Sequence, residues 1–379
     1  MEFFATCPRG LEALLVGELG SLGIEARAVP GGVAFAGGWQ DCYRANLWSR
    51  IASRILWQVA QFDYRNEQDV YAAARAVDWP RHFRVERTLR VNVTAQKSPL
   101  KSLEFATLRI KDAVCDRFRD RLGSRPSIDR TNPDVRVHAF LEERRGTLYL
   151  DTSGEPLFKR GWRAGAADAP LRENLAAGIL MLAGWQPDEA LLDPMCGGGT
   201  FLVEAGAMAR GRAPGARRAF AFEKLGAFDG PAWESVKGQL PQAERAPRLY
   251  GSDLDPKALN AARRNLAAAG VERWVTLERS DVLERASPAP SGVMVMNPPY
   301  GERMGSAEEL ARFYPTLGDA LKQRFAGWRC YIFTADLRLP KLIRLTPSRR
   351  IPLWNGPLEC RLYEFVMVAG AHRKKSASA

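Results

Sequence analysis

Asp193, Asp253, Asp281 and Asn297 each follow a stretch that reads as a strand in the C-terminal half of this sequence. The most specific of the four settings is Asn297-Pro298-Pro299-Tyr300-Gly301, which closes the apolar run Val293-Met294-Val295-Met296. Two consecutive prolines halt a strand and lack N–H groups, so the Asn297 side-chain amide and the Pro298 carbonyl can be held as acceptors for one exocyclic amino group. Tyr300 can stack on the base that carries it. Accepting both amino hydrogens aims the nitrogen lone pair at an electrophile, which is what methylation of a weakly nucleophilic amine requires.

The run Leu191 to Thr200 reads as a strand ending in Asp193, then Pro194, Met195, Cys196 and three glycines, then a helix that Thr200 can cap. Glycines let a ligand approach the backbone closely. The P-loop ending and the GxGxxG spacing are both missing, so the competing reading is a tight strand-to-helix turn without ligand. In Gly251-Ser252-Asp253-Leu254-Asp255-Pro256, Pro256 suits the first helical position and Asp255 the N-cap. Asp253 is then left at the strand tip, where a carboxylate can accept both hydroxyls of a ribose. Asp281 has two readings, a turn or helix cap and a place near the adenine ring of a nucleoside cofactor.

The elements around these residues alternate. A helix over 171–183 leads to strand Ala190–Asp193, helix Thr200–Arg210, strand Leu249–Asp253, helix Pro256–Ala269, and strands Val275–Leu277 and Gly292–Asn297. That rhythm predicts a parallel sheet, which binds ligands at the carboxyl ends of its strands. The first half reads differently, as one or two α+β modules without βαβ regularity. A helix over Gly10–Gly20 carries Leu11, Leu14, Leu15 and Leu19 on one face, and Trp39–Ala60 is helical by pattern. Thr88–Ala95, Val135–Leu141 and Thr147–Asp151 read as strands, and Ile110, Ala113, Val114 and Phe118 form a helical stripe. Residues 152–170, rich in Gly, Pro and Ala, look like the connection between halves. The insertion from Gly211 to Arg248 carries Phe220, Phe222, Phe228 and Trp233 among basic residues; covering the sheet is favoured over lining an RNA groove.

Lys and Arg number 55 against 43 Asp and Glu, a net charge of +12, so nucleic acid is the leading class of partner. Residues 81–130 are the densest stretch, with 13 basic and 6 acidic side chains; a merely solvated face is its plainer reading. Six scattered cysteines without a CxxC pair and only three histidines argue against a disulfide framework, a metal site and His-dependent hydrolysis. Cys196 lies away from Asn297 and reads as a packed loop residue, and no cysteine beside Asn297 offers the nucleophile that C5 methylation of a pyrimidine needs. No run approaches 18 apolar residues and the first residues lack a basic n-region, so a cytoplasmic protein without membrane contact is expected.

DPMCGGGT, GSDLDP and NPPYGER together resemble the class I methyltransferases that use S-adenosylmethionine and act on exocyclic amines. RGLEALLVGEL, LWSRIASRIL, RIKDAVCDRF, FKRGWR and LRENLAAGILMLAGWQPDEALLDPMCGGGT further resemble the N-terminal half of the bacterial bifunctional 23S rRNA guanine-N2 methyltransferases, over nearly the whole chain. The resemblance implies an α/β fold: a Rossmann-like methyltransferase domain over 171–379, preceded by an α+β ferredoxin-like module (1–60), a THUMP RNA-binding domain (61–155) and a linker (156–170). By position it places Asp193, Gly197 and Gly199 at the methionine end of the cofactor, Asp253 on its ribose and Asp281 at its adenine, with Pro194, Cys196 and Thr200 also among the cofactor-binding residues. Asn297 is shared between cofactor and target base, which Pro298, Pro299 and Tyr300 also hold. Pro170 to Asn174 resembles a segment that packs near the cofactor, with no evident chemical role for its side chains. The family loop commonly reads CGSGT where this chain has Cys196-Gly197-Gly198-Gly199-Thr200, and both flanking glycines are kept. The bifunctional relatives continue into a second methyltransferase half beyond the position of Ala379, so only the first activity is implied.

The expected reaction is direct methyl transfer to guanine N2 in 23S rRNA or a large-subunit assembly intermediate, without metal and with a monomer favoured. The alternatives are a tRNA guanine-N2 methyltransferase, a DNA adenine-N6 methyltransferase and a non-catalytic RNA-binding ribosome assembly factor.

Overall fold

A computed structural model of the chain describes residues 1–163, 171–238, 245–298 and 307–368. They fall into two compact units, Met1–Cys7 with Glu12–Arg160 and Pro214–Leu240, and Pro8–Leu11 with Gly161–Ala213 and Pro241–Ala379.

The first unit runs β1 (Glu2–Thr6), α1 (Glu12–Ser21), β2 (Ala26–Val29), β3 (Gly32–Ala36), α2 (Trp39–Trp48), β4 (Arg54–Asp63), α3 (Glu67–Ala76), α4 (Trp79–His82), β5 (Leu89–Gln96), α5 (Leu103–Leu122), β6 (Val135–Glu142) and β7 (Arg145–Asp151). Its seven strands form one sheet in the order β2-β3-β1-β4-β7-β6-β5. The long helix α5 starts on Ser102, whose hydroxyl accepts the Phe105 N–H at 3.1 Å, and stops at Gly123, whose φ of +72° suits glycine.

Two expectations fail in this unit. The helix read over Trp39–Ala60 ends at Trp48, and residues 54–63 form β4, because Ile55 and Leu56 are buried in a strand that pairs with β1 on one side and β7 on the other. The predicted absence of βαβ order is also wrong, since β5 and β6 run parallel from Leu89↔Val135 to Gln96↔Glu142 across α5. β4 crosses residue 60, so the first two modules share a continuous sheet.

The insertion contributes to this unit rather than to the second sheet. Phe220, Phe222 and Trp233 are buried, and their rings pack on one another and on Tyr43, with centroids 4.6 Å apart for Tyr43–Phe222 and 5.7 Å for Tyr43–Trp233. The Tyr43 hydroxyl accepts the Asp229 N–H at 2.9 Å, next to helix α8 (Gly230–Lys237). The aromatics are core, as the covering reading had it, but the surface they cover is α2.

The second unit is the alternating half: α6 (Glu173–Leu182), β8 (Ala190–Asp193), α7 (Thr200–Ala209), β9 (Arg248–Asp253), α9 (Pro256–Ala269), β10 (Val275–Arg279), β11 (Gly292–Met296), α10 (Ala307–Arg324), β12 (Trp328–Thr334), α11 (Leu339–Leu342), β13 (Arg349–Asn355) and β14 (Leu358–Val366). The sheet order is β10-β9-β8-β11-β12-β14-β13, parallel through β12, with β14 antiparallel to β12 and to β13. β8 and β11 are buried throughout, as strands covered on both faces must be. Met294, Met296, Cys330 and Ile332 of the sheet pack with Tyr314, Leu317 and Leu321 of α10. β13 and β14 turn over Gly356-Pro357, with Gly356 at φ +64°, a hairpin signal the sequence reading passed over. No helix among the described residues is long and apolar enough to cross a membrane.

Candidate active site

The order β10-β9-β8-β11 sets four of the singled-out residues side by side at the carboxyl ends of adjacent strands: Asp281 two residues past β10, Asp253 ending β9, Asp193 ending β8 and Asn297 just past β11. The chain leaves β8 for β9 on one side and leaves β11 for β12 on the other, so the crevice between β8 and β11 is the sheet's topological switch point. Met294 pairs with Leu192, which puts Asn297 about 6–7 Å further along the strand direction than Asp193 at 3.3 Å per residue.

The glycine loop is fixed from both flanks. On one side the Gly197 N–H donates to Asp253 Oδ2 at 2.9 Å and the Cys196 N–H to the Ser252 carbonyl at 2.9 Å. On the other, Asn265 of α9, 3% exposed, donates from Nδ2 to the Gly198 carbonyl at 2.8 Å. Gly197 and Gly199 have φ of +51° and +77°, and no atom lies within 4 Å of where a Cβ on Gly197 would stand. A ligand can therefore rest on that turn without meeting a side chain. A Cβ on Gly199 would lie 3.3 Å from the Ala262 Cβ, at a backbone angle L-residues adopt with strain. Gly199→Ala is expected to cost about 1–2 kcal/mol, or a drop of roughly 2–8 °C in melting temperature measured by scanning calorimetry. An unchanged transition would mean the loop relaxes freely.

Asp253 Oδ1 also accepts the Asp255 N–H at 3.0 Å, so each of its oxygens takes one backbone donor and keeps capacity for another. Asp255 caps α9 by accepting the Lys257 N–H at 2.8 Å, with Pro256 at the first helical position. Asp281 Oδ1 accepts the Leu283 N–H at 2.9 Å in a turn, which realises its plainer reading and leaves its second oxygen for another donor. Pro194 follows Asp193 in the glycine loop, its carbonyl accepting the Ser252 hydroxyl at 3.4 Å. Burial pushes the Cys196 thiol above its ordinary value, which leaves it a packed, unreactive group.

Asp193 is 2% exposed and accepts only the Met195 N–H, at 3.3 Å, among the described hydrogen bonds. Burial first, and the Asp253 carboxylate second, raise its carboxyl well above the usual range. A folded-state value above the unfolded one means that its contribution to stability is present below about pH 4 and lost as pH rises through the raised value. Asp193→Asn is therefore expected to gain stability over the unmodified, ligand-free chain as pH increases from about 4 to 8. Melting temperatures across that range test this; a difference independent of pH would contradict it.

Thr200 does not cap its helix. Gly199 holds the N-cap position without a side-chain bond, Thr200 is the first helical residue, and its hydroxyl meets Arg163 Nη2 at 3.3 Å. The Pro170–Asn174 segment, left without a role by its sequence, supplies Glu173, 5% exposed and bound to Arg163 Nε at 3.0 Å. Arg163 ends the FKRGWR segment but had no role assigned to it, and Asn265 stood in no motif; their partners lie 10 and 67 residues away.

Asn297 Oδ1 is buried and has no hydrogen-bond partner among the described residues. Leaving such an acceptor unmade costs about 1–3 kcal/mol, so the position is suited to a ligand donor. Pro298 is buried beside it; Pro299 and Tyr300 lie outside the described residues. In the first unit, Arg81, Arg84, Lys101 and Arg130 are exposed and make no side-chain ion pair among the described residues. Arg117 and Arg121 share Asp78, and Arg119 pairs with Asp116.

Comparison with known proteins matches residues 160–364 to a family described as RMKL-like, methyltransferase domain, residues 2–56 to the RlmL ferredoxin-like domain and residues 64–151 to the THUMP domain. The chain is 41% identical over 382 residues to ribosomal RNA large subunit methyltransferase K/L of Syntrophotalea carbinolica, covering 96% of this chain and 53% of that one. It thus spans about half the length of that relative, and 56% of the same-named protein of Aeromonas salmonicida. A putative RNA methyltransferase of Synechocystis sp., slr0064, is 40% identical over 96% of both chains. Among solved structures, SMU.472, a putative methyltransferase complexed with SAH, superposes with a TM-score of 0.88 at 28% identity, over 97% of this chain and 98% of the other. A predicted N6-adenine-specific DNA methylase from Listeria monocytogenes superposes with a TM-score of 0.86 at 26% identity, over 97% and 96%.

Proposed function

The chain belongs to the RMKL-like methyltransferase family, and from that premise we propose that it methylates guanine N2 in 23S rRNA, using S-adenosylmethionine. The observation that carries this reading is the buried Asn297 Oδ1 at the switch point of the sheet, without a partner among the described residues. When bound, the cofactor supplies a methyl group on a positively charged sulfur. The residues present fit it: an open turn at Gly197, a strand-tip carboxylate in Asp253 for two hydroxyls, the buried Asp193 for positive charge, and Asp281 for the adenine end.

Asn297 Oδ1 and the Pro298 carbonyl accept the two hydrogens of the guanine amine. That direction of hydrogen bonding points the nitrogen lone pair across the crevice. The new bond is N–C, the bond broken is S–C, and one amine proton leaves to solvent. Alignment of two bound reactants is worth about 7–11 kcal/mol, whereas extruding a base costs a few, so the balance favours a flipped nucleotide.

Residues 1–60 and 61–155 act in this reading as the ferredoxin-like and THUMP modules that hold RNA, joined through 156–170 to the catalytic residues 171–379 in a monomeric, cytoplasmic enzyme. The relatives named as ribosomal RNA methyltransferases favour rRNA over tRNA and DNA. Replacing Arg81, Arg84, Lys101 and Arg130 together by Gln is expected to weaken RNA binding and to flatten the plot of log K against log salt by about 3, at 0.7 or more per lost phosphate contact. Filter binding over a salt series measures this, with affinity for S-adenosylhomocysteine as the control. An unchanged slope would assign RNA contact elsewhere. For the reaction itself, nucleoside mass spectrometry of RNA incubated with the protein and labelled cofactor is the test: N2-methylguanosine supports the reading, and label on any other base overturns it.

A further inference from the structure

Arg163 draws together three places that are distant in sequence. Its Nε donates to Glu173 Oε1 at 3.0 Å, and its Nη2 donates to the Leu171 carbonyl and to Thr200 Oγ1, both at 3.3 Å. Glu173 opens α6 and Thr200 opens α7 directly after the glycine loop. All three partners are buried, so the guanidinium fork works where water competes little.

The consequence falls on Thr200. A hydroxyl has one proton and two lone pairs, and accepting from Arg163 leaves its proton to be donated elsewhere. The residue before it, Gly199, has no side chain to bind the first N–H groups of α7, so among the described residues this helix end has no side-chain cap. An anionic ligand group there would be met by those donors and by the Thr200 hydroxyl.

We propose that Arg163 is a positioning residue: its fork, oriented by Glu173, locks the Thr200 side chain so that the hydroxyl proton faces the carboxylate at the methionine end of the cofactor. This rests on the cofactor reading above. A lysine would keep the charge but lose the two-pronged geometry, so charge and orientation are separable.

Removing Arg163 alone would strand a buried carboxylate, whereas replacing both members of a buried pair by apolar residues of similar volume is often neutral for folding. Two variants are therefore informative, Arg163→Lys and the double variant Arg163→Met/Glu173→Leu. Each is expected to raise the Kd for S-adenosylhomocysteine, measured by calorimetry, about tenfold, a shift of 1.4 kcal/mol. RNA affinity stays unchanged, kcat at saturating cofactor stays within twofold, and the double variant melts within a few degrees of the unmodified protein. Thr200→Val alone should raise Kd comparably, and adding Arg163→Lys to it should change little further. Normal cofactor affinity in both folded variants, or effects that add fully to Thr200→Val, would overturn the proposal. An unmodified protein that fails to bind S-adenosylhomocysteine would instead overturn the cofactor reading, and the proposal with it.

Discussion

Asn297→Ala lowers the rate of methyl transfer by about 100- to 1,000-fold while cofactor affinity stays within a few-fold; the estimate comes from the loss of one preorganised hydrogen-bonding group at a reacting centre. Oδ1 is buried at the tip of β11, one strand from Asp193, and no described residue bonds to it. Because the group has no partner among the described residues, removing it should leave the melting temperature unchanged or slightly raised. Asn297→Asp keeps an acceptor oxygen and should retain more activity than Ala. Single-turnover rates with labelled cofactor and calorimetric binding of S-adenosylhomocysteine separate the two effects. Normal turnover in Asn297→Ala would remove this residue from the chemistry.

Asp253→Ala acts on the other reactant. Two hydroxyl hydrogen bonds to a carboxylate are worth about 1.5–3 kcal/mol each, so its loss should weaken cofactor binding by 100-fold or more. The Gly197 N–H would lose its acceptor at the same time, loosening the loop. Asp255→Ala, two residues away, supplies the contrast. Its carboxylate caps α9 by accepting the Lys257 N–H, so the expected cost is about 1 kcal/mol of stability with cofactor affinity unchanged. Equal effects of the two substitutions on Kd would show that both act only through folding.

How far the sequence carried these conclusions differs between the two units, for physical reasons. β8, β11 and α9 announced themselves because strands buried on both faces are continuous apolar runs and because Asp255-Pro256 and Gly270 mark the helix ends, and β9 was legible from its place just before that helix start. The tips of those strands then followed, and with them Asp193, Asp253, Asp281 and Asn297. Residues 54–60 were misread as helix because Ile55, Leu56 and Trp57 suit either element, and only pairing with β1 and β7 decides for a strand. Helix α5 hid the parallel pairing of β5 with β6, since one crossover among antiparallel strands leaves no repeating rhythm. Phe220, Phe222 and Trp233 read as core, but the surface they cover, Tyr43 on α2, is far away in sequence. The roles of Arg163, although it lies in FKRGWR, and of Asn265 were hidden for a related reason, since a side chain that binds a carbonyl or hydroxyl across the fold leaves no local pattern.

Methyl transfer to a guanine amine in ribosomal RNA is tested by incubating the protein and labelled S-adenosylmethionine with protein-free 23S rRNA, unmodified tRNA and duplex DNA, followed by nucleoside mass spectrometry. The expected product is N2-methylguanosine in the rRNA alone. Label in tRNA alone would keep the chemistry and contradict the substrate, and label on adenine in DNA, or none on any of the three, would contradict the claim itself.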